Sequence, residues 1–442
     1  MRAKVGSGRL PRRRSPIAVA SHAVAVGVLV VSVGPLAAQS PPPLGLITLE
    51  QALDEATRHN PDLLAERANV DIAQAGIVSA RLRPNPIISS SADHLDWVGM
   101  EFSELNGGGP PEYSVRADYL LERGGKRDSR IRAAEGTRQV ASWEARDALR
   151  VMRLEVSNAF TDVLLAKSSA QLARENLAFM QQIVDIDAAR VRSGDLPEVE
   201  LARARLASRQ MENAARDAEA RVATAAVRLY TLLGRTGPPP PSFDAIGELA
   251  PARVTFSLED LQRQAREQRP DLIAARRRVE RADAEIAVQQ ALAVPDCTIG
   301  SEFRRQQGVN GRSNSLGVFL SVPIPLSNRN QGEIERAMRE RQQAEARARA
   351  VEAAIVADLQ TAWLAYQAAG ARLDAIEQHM LQEARRVRDV TEYAYRRGSA
   401  SLLELLDANR AFNETMQDYN DARAQYAHSL QALEAASAKG GQ

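Results

Sequence analysis

Residues 48–63 read TLEQALDEATRHNPDL and residues 257–272 read SLEDLQRQAREQRPDL, a match at an offset of 209 residues that persists to Pro86 and Pro295. A second pair, RSGDLPEVEL (192–201) and RRGSASLLEL (396–405), matches at an offset of 204 and is anchored on Gly194 and Gly398. Two copies of one unit therefore occupy residues 39–234 and 257–442. Residues 235–256, RTGPPPPSFDAIGELAPARVTF, hold a proline cluster that cannot continue a helix and read as the linker between them.

Each copy repeats one order of elements. A helix of about 35 residues (48–83; 257–293) opens at Thr48 or Ser257 as N-cap. Two short strand-like segments follow, then a very long helix, a glycine turn and a last helix. Arg127–Arg192 runs 66 residues without proline and with one glycine, Gly136; Glu333–Arg397 runs 65 with only Gly370. At ~1.5 Å per residue each spans roughly 100 Å, more than a compact domain needs. Apolar residues recur on a 3–4 pattern in both. The first seam reads Leu149, Met152, Val156, Ala159, Val163 and onward to Val191; the second reads Ile355, Leu359, Ala362, Tyr366, Ala369, Leu373, Ile376, Met380, Val387, Val390, Ala394. A repeat of seven sustained this far predicts nearly parallel coiled-coil packing, and the two shorter helices of a copy could stack end to end along the long one.

The short segments alternate instead. YSVRADYLL (113–121) and SLGVFLSVP (315–323) put apolar residues on one face, and their partners, near 86–97 and 296–305, alternate less cleanly. NGGGPPE and QQGVNGRSN between them read as hairpin tips. Strands of about ten residues suit a tilted membrane crossing, yet four cannot close a barrel, since the smallest have ~8. Either two soluble hairpins cap a helical bundle, or several chains share one barrel.

Composition excludes other classes. With 57 basic and 56 acidic residues in 442, the formal charge is +1, and there is no bulk attraction for nucleic acid. A single cysteine, Cys297, allows no intrachain disulfide, and the five histidines lack ligand spacing, so no metal site or cofactor is expected. No GxSxG, HExxH or Walker loop occurs, and an enzyme is not expected. Residues 1–38 carry a basic start, the apolar run IAVASHAVAVGVLVVSV and GPLAAQS, the pattern of a signal peptide cut after Ala38.

The opening TLEQAL…NPDLLAERANVDIAQA…RLRPNP, LLERGGKRDSRI after the second strand, VPIPLSNRNQGEIERA after the fourth, and the two glycine turns resemble the TolC-like outer-membrane efflux protein family. Within it they resemble the cobalt-zinc-cadmium branch. The resemblance covers residues 47–437. It implies a mostly α fold with a small β part: a long helical periplasmic barrel, plus four strands per chain in a β-barrel shared by a homotrimer in outer-membrane lipid. It further implies a periplasmic adaptor protein, an inner-membrane RND-type pump and divalent heavy-metal cargo. Drug efflux or type I protein secretion shares the fold, and a soluble periplasmic scaffold remains open.

The same resemblance puts Asp407, Glu404 and Glu200 at a constricted pore entrance. Tyr395 and Arg396 become gate contacts, and Gly194, Leu196, Gly398 and Ser399 adaptor-docking tips. Read from the residues alone, Glu404 and Asp407 share a helical face, as an acid/base pair, a metal site or a solvated stripe would. Ser401-x-x-Glu404 is also a capping box, and Asp195-x-x-Glu198 has the same form, so Glu404 is cap, gate or both.

Overall fold

The computed structural model describes residues 45–95, 111–308 and 311–438, all within one compact unit, Pro42–Gln442. The expected signal segment and the centres of both hairpin loops lie outside the described residues.

The first copy runs β1 (Leu46–Ile47), α1 (Leu49–His59), α2 (Pro61–Arg81), β2 (Ile87–Asp93), β3 (Glu112–Leu121), α3 (Lys126–Ser193) and α4 (Glu198–Leu232). After β4 (Asp244–Ala245) the second runs α5 (Leu258–Gln268), α6 (Pro270–Leu292), β5 (Cys297–Gly308), β6 (Gly311–Ser321), α7 (Gln331–Ala375), a π turn (Ile376–Met380), α8 (Leu381–Arg396) and α9 (Leu402–Ser437).

The single first helix expected in each copy is two helices. Pro61 and Pro270 lack an N–H and force the preceding residue out of the helical region, so Asn60 and Arg269 sit extended at ψ 121° and 120°. Those two residues then join the helices end to end. Asn60 caps α2 through Leu63 N–H at 3.0 Å, while its amide donates to the Leu232 carbonyl at the end of α4 at 2.9 Å. Arg269 reaches the Ala436 carbonyl at the end of α9 in the same way, at 3.5 Å. Stacked thus, α2 and α4 run along α3, and α6 and α9 run between α3 and α7. The chain forms a layer four helices wide, in the order α2, α3, α6, α7 toward the strands and α4, α3, α9, α8 away from them.

The linker packs into this layer at the joins. β4 pairs in parallel with β1, Phe243, Ala245 and Leu249 are buried, and Arg235 forms a buried ion pair with Glu55 at 2.5 Å. Two apolar cores hold the layer here, one around Val156, Phe160 and Leu229, the other around Leu359, Tyr366 and Tyr426.

The second long helix departs from expectation at the π turn. Ile355, Leu359, Tyr366, Ala369, Leu373 and Ile376 are buried as the heptad requires. Below, Met380, Val387 and Val390 are exposed, and the packed positions are Leu381, Ala384, Arg388, Thr391 and Tyr395. A π turn takes in one extra residue, so the inward face moves from a step of four to a step of five, from Ile376 to Leu381.

The four long strands form one sheet in the order β2-β3-β5-β6, antiparallel throughout. Its register sorts the side chains. Val115, Phe303 and Leu316 share a row, as do Ile88, Ala117, Ser301 and Val318, and Tyr119, Ile299 and Leu320. The opposite face carries Glu112, Arg116, Asp118, Glu302 and Arg304, with Arg116 bound to Asp118 at 2.8 Å and Arg304 to Glu302 at 2.9 Å. One face suits hydrocarbon and the other water, while β2 and β6 each leave an edge unpaired among the described residues.

Candidate functional site

At the end of the layer remote from the sheet, α3 turns into α4 and α8 into α9 through the same motif. Gly194 (φ +82°) and Gly398 (φ +77°) adopt the left-handed conformation that closes a helix. The following N–H groups reach back, Asp195 to Arg190 O at 2.8 Å and Ser399 to Ala394 O at 2.9 Å. The glycines differ in surroundings: a Cβ at Gly194 would meet nothing, whereas one at Gly398 would stand 3.1 Å from Arg190 Nη2. Leu196 is half-buried and Ser399 exposed.

The restart of α9 is capped as its sequence predicts. Glu404 N–H donates to Ser401 Oγ at 3.3 Å, and Ser401 N–H donates to Glu404 Oε2 at 2.6 Å. The backbone N–H of Ser401, with its hydroxyl, holds the Glu404 carboxyl below the usual range. The first copy lacks this box. Pro197 occupies the N-cap of α4 with no acceptor side chain, and Asp195 turns back to accept from Ser193 Oγ at 2.7 Å. Glu200 is half-exposed and pairs with Arg203 at 2.8 Å. Asp407 is exposed, with no hydrogen bond or ion pair among the described residues. Glu404 and Asp407 thus have different environments, one engaged in its own helix start and one free.

Beneath the turns Met180, Ile183, Ala204, Leu402, Leu405 and Tyr395 form an apolar plug drawn from α3, α4, α8 and α9. Inside it lies a pair that sequence reading found only half of. Tyr395, 2 % exposed, donates to Oδ1 of Asp187, which is fully buried, at 2.6 Å. Oδ2 of Asp187 has no hydrogen-bond partner among the described residues. Burial raises the Asp187 carboxyl above its ordinary value, and burial with donation to Asp187 raises the Tyr395 phenol. Arg190 completes the group, its guanidinium 5.7 Å from the Tyr395 ring centroid and 3.5 Å from the Tyr395 carbonyl. Tyr395 therefore ties α8 to α3, while Arg396 pairs along its own helix with Glu392 at 2.7 Å. The signal for Asp187 was available: it falls on the heptad seam of α3, between Val184 and Val191, where a carboxylate is unexpected.

Among the described residues the site contains no activated nucleophile. Its chemistry is that of two hairpin tips pinned by a buried phenol–carboxylate bond, with carboxylates at the helix starts.

Comparison with known proteins agrees with this architecture. The profile of the outer membrane efflux protein family matches residues 52–235 and 261–439, one match in each copy. The cobalt-zinc-cadmium resistance protein CzcC of Cupriavidus metallidurans is 26 % identical over 367 residues, 83 % of this chain and 84 % of that protein. The nickel-cobalt-cadmium resistance protein NccC of Alcaligenes xylosoxydans xylosoxydans is 27 % identical over 321 residues, 71 % and 68 % of the two chains. Among solved structures, the outer membrane protein VceC of Vibrio cholerae superposes with a TM-score of 0.69 at 19 % identity, covering 88 % of this chain and 95 % of that one.

Proposed function

Because the chain belongs to the outer membrane efflux protein family, a family of non-enzymatic transport ducts, we propose that it is the exit duct of a tripartite RND-type system exporting divalent heavy-metal cations. Three copies make the duct. The observation that carries this reading is the two-faced sheet with both edges unpaired: in lipid each open edge costs several kcal/mol per unsatisfied group. Joining β6 of one copy to β2 of the next satisfies them, and three copies give twelve strands.

In that ring Asp407 supplies three carboxylates to the periplasmic entrance, a geometry that favours cations. Glu404 and Glu200 stand beside it, Glu404 also capping its helix. The Tyr395–Asp187 bond keeps the tip closed, with Arg396 on the neighbouring surface, and the turns at Gly194, Leu196, Gly398 and Ser399 meet a periplasmic adaptor, which links to the inner-membrane pump. The metal-resistance relatives support the cargo.

The test is deletion of the gene with the pump intact. Sensitivity to divalent metals, together with a heat-modifiable trimer in the outer-membrane fraction of the parent strain, is expected. Loss of a secreted protein with unchanged metal tolerance would overturn the cargo, and extraction without detergent would overturn the shared barrel.

A further inference from the structure

We propose that Arg83 and Arg329, at the foot of the sheet, hold anionic phospholipid headgroups at each seam between copies, in the leaflet facing the helices. The inference rests on the trimeric membrane reading above.

The apolar alternation of β6 does not stop where its ladder stops. Leu316, Val318, Leu320, Val322, Ile324 and Leu326 continue every second residue, with Ile324 77 % and Leu326 80 % exposed. Pro323 and Pro325 cannot donate to a ladder, so this tail extends the lipid-type surface without extending the sheet. Three residues on, Arg329 is exposed. Its backbone is fixed, its N–H donating to Gln331 Oε1 at 2.7 Å and the Asn330 amide next to it donating to the Gln289 carbonyl at 2.8 Å. Its guanidinium has no partner among the described residues.

The other edge repeats the arrangement in reverse. Leu82, 63 % exposed, caps the end of α2; Arg83 follows, exposed and without a partner among the described residues; Pro84 and Pro86 lead into β2. Two nearby cations at the start of α3 behave differently. Lys126 pairs with Asp296 at 2.7 Å, and Arg130 pairs with Glu122. Lys126 and Arg130 are thus neutralised inward, whereas Arg83 and Arg329, beside the exposed aliphatic residues, are left open.

Exposed Leu and Ile match hydrocarbon, and a guanidinium just beyond them sits at headgroup depth. Its planar fork matches phosphate oxygens. With β6 beside β2 of the next copy, Arg329 and Arg83 flank one seam and bring two uncompensated positive charges together. A zwitterionic lipid offers no net charge to balance them, and an anionic one does.

The test titrates dioleoylphosphatidylglycerol in mixed detergent micelles into the purified full-length protein, following the melting midpoint. Dioleoylphosphatidylcholine and inorganic phosphate are run in parallel. Stabilisation by phosphatidylglycerol alone is expected. At about fivefold per basic residue near an anionic surface, Arg83→Gln with Arg329→Gln should shift the titration by roughly 25-fold. Arg83→Lys with Arg329→Lys should keep most of the preference, and Arg276→Gln, an exposed arginine on α6, should leave it unchanged. Equal stabilisation by phosphatidylcholine, reproduction by inorganic phosphate, or an unshifted titration in the double Gln variant would each overturn the headgroup site while the trimer stands. A protein that forms no trimer in any lipid would overturn the functional reading itself, and this inference with it.

Discussion

Replacing Tyr395 by Phe removes one oxygen from the tip and leaves its apolar packing in place. Asp187 then keeps no hydrogen-bond donor among the described residues on either oxygen, since Oδ2 already lacks one. A bond to a buried charged acceptor is worth about 1.5–3 kcal/mol, so opening of the tip should become roughly 10- to 160-fold more frequent. The assay is amide hydrogen exchange of the protein in detergent, read on peptides covering 180–195 and 390–406, with peptides around Phe160 as the unaffected reference. The pH dependence carries a second check. Burial raises the native Asp187 carboxyl above its ordinary 3.8, so between that value and the raised one the folded state binds more protons than the unfolded chain. Its contribution is therefore fully present at acid pH and is lost as pH rises through the raised value. The variant loses the donation that holds the carboxyl down, so its deficit should be largest near neutrality and shrink on acidification. Asp187→Asn combined with Tyr395→Phe should cost less than the two singles added. Unchanged exchange at the tip, or a deficit that grows toward acid, would refute the pinned-tip account.

Asp407→Asn should lower cation selectivity in planar bilayers without changing the melting temperature; an unchanged reversal potential removes Asp407 from the entrance. Ser401→Ala should destabilise the start of α9 by about 1 kcal/mol. Glu404, held low by Ser401, contributes above its ordinary 4.5 and loses that contribution as pH falls through the lowered value, so melting curves of parent and variant should converge in acid. Gly194→Ala should cost about 1 kcal/mol for its left-handed backbone and Gly398→Ala more, because Arg190 must also move; equal melting shifts would deny the second contact. Bulkier residues at either glycine should weaken crosslinking to the adaptor. Deleting Gln378 should turn the π turn into regular α-helix and leave the tip intact, with trimer yield and melting preserved; collapse of the trimer would mean that the extra residue is required.

Much of the architecture was written locally. The alternating strands and the Ser401 cap each depend on residues within a few positions of one another, the duplication shows as a direct match at fixed offsets, and the structure contains all three. The proline breaks at Pro61 and Pro270 were equally local, and the long amphipathic pattern running through them masked the break. What pattern reading could not reach was phase across the π turn. Below Ile376 the heptad positions are Met380, Glu383, Val387, Val390 and Ala394, so apart from the carboxylate at Glu383 the upper pattern runs on past the point where the packed face moves to Leu381 and Tyr395. Asp187 stands out as a carboxylate on the seam of α3, but its partner was hidden, since it lies on another helix, 208 residues away.

The one-residue shift also gives that continued heptad a use. Above the π turn the seam from Ile355 to Ile376 is covered by the chain's own α5 and α9. Below it, Met380, Val387 and Val390 keep the spacing but face away from the chain. On the opposite edge of the layer α4 carries Val199, Leu206, Ala220 and Val227, exposed on a seven-residue spacing that the polar Asn213 interrupts. On α2 the exposed series Ala65, Ala68, Ile72, Ala75, Ser79 keeps the 3–4 rhythm. Two unlike apolar stripes on opposite edges of one layer cannot cover each other within a chain, and they do not suit a two-fold dimer, which pairs a surface with itself. They suit head-to-tail contact, the arrangement that the open edges of β2 and β6 also call for. Helices and strands, obeying different packing rules, thus both fit the ring proposed above.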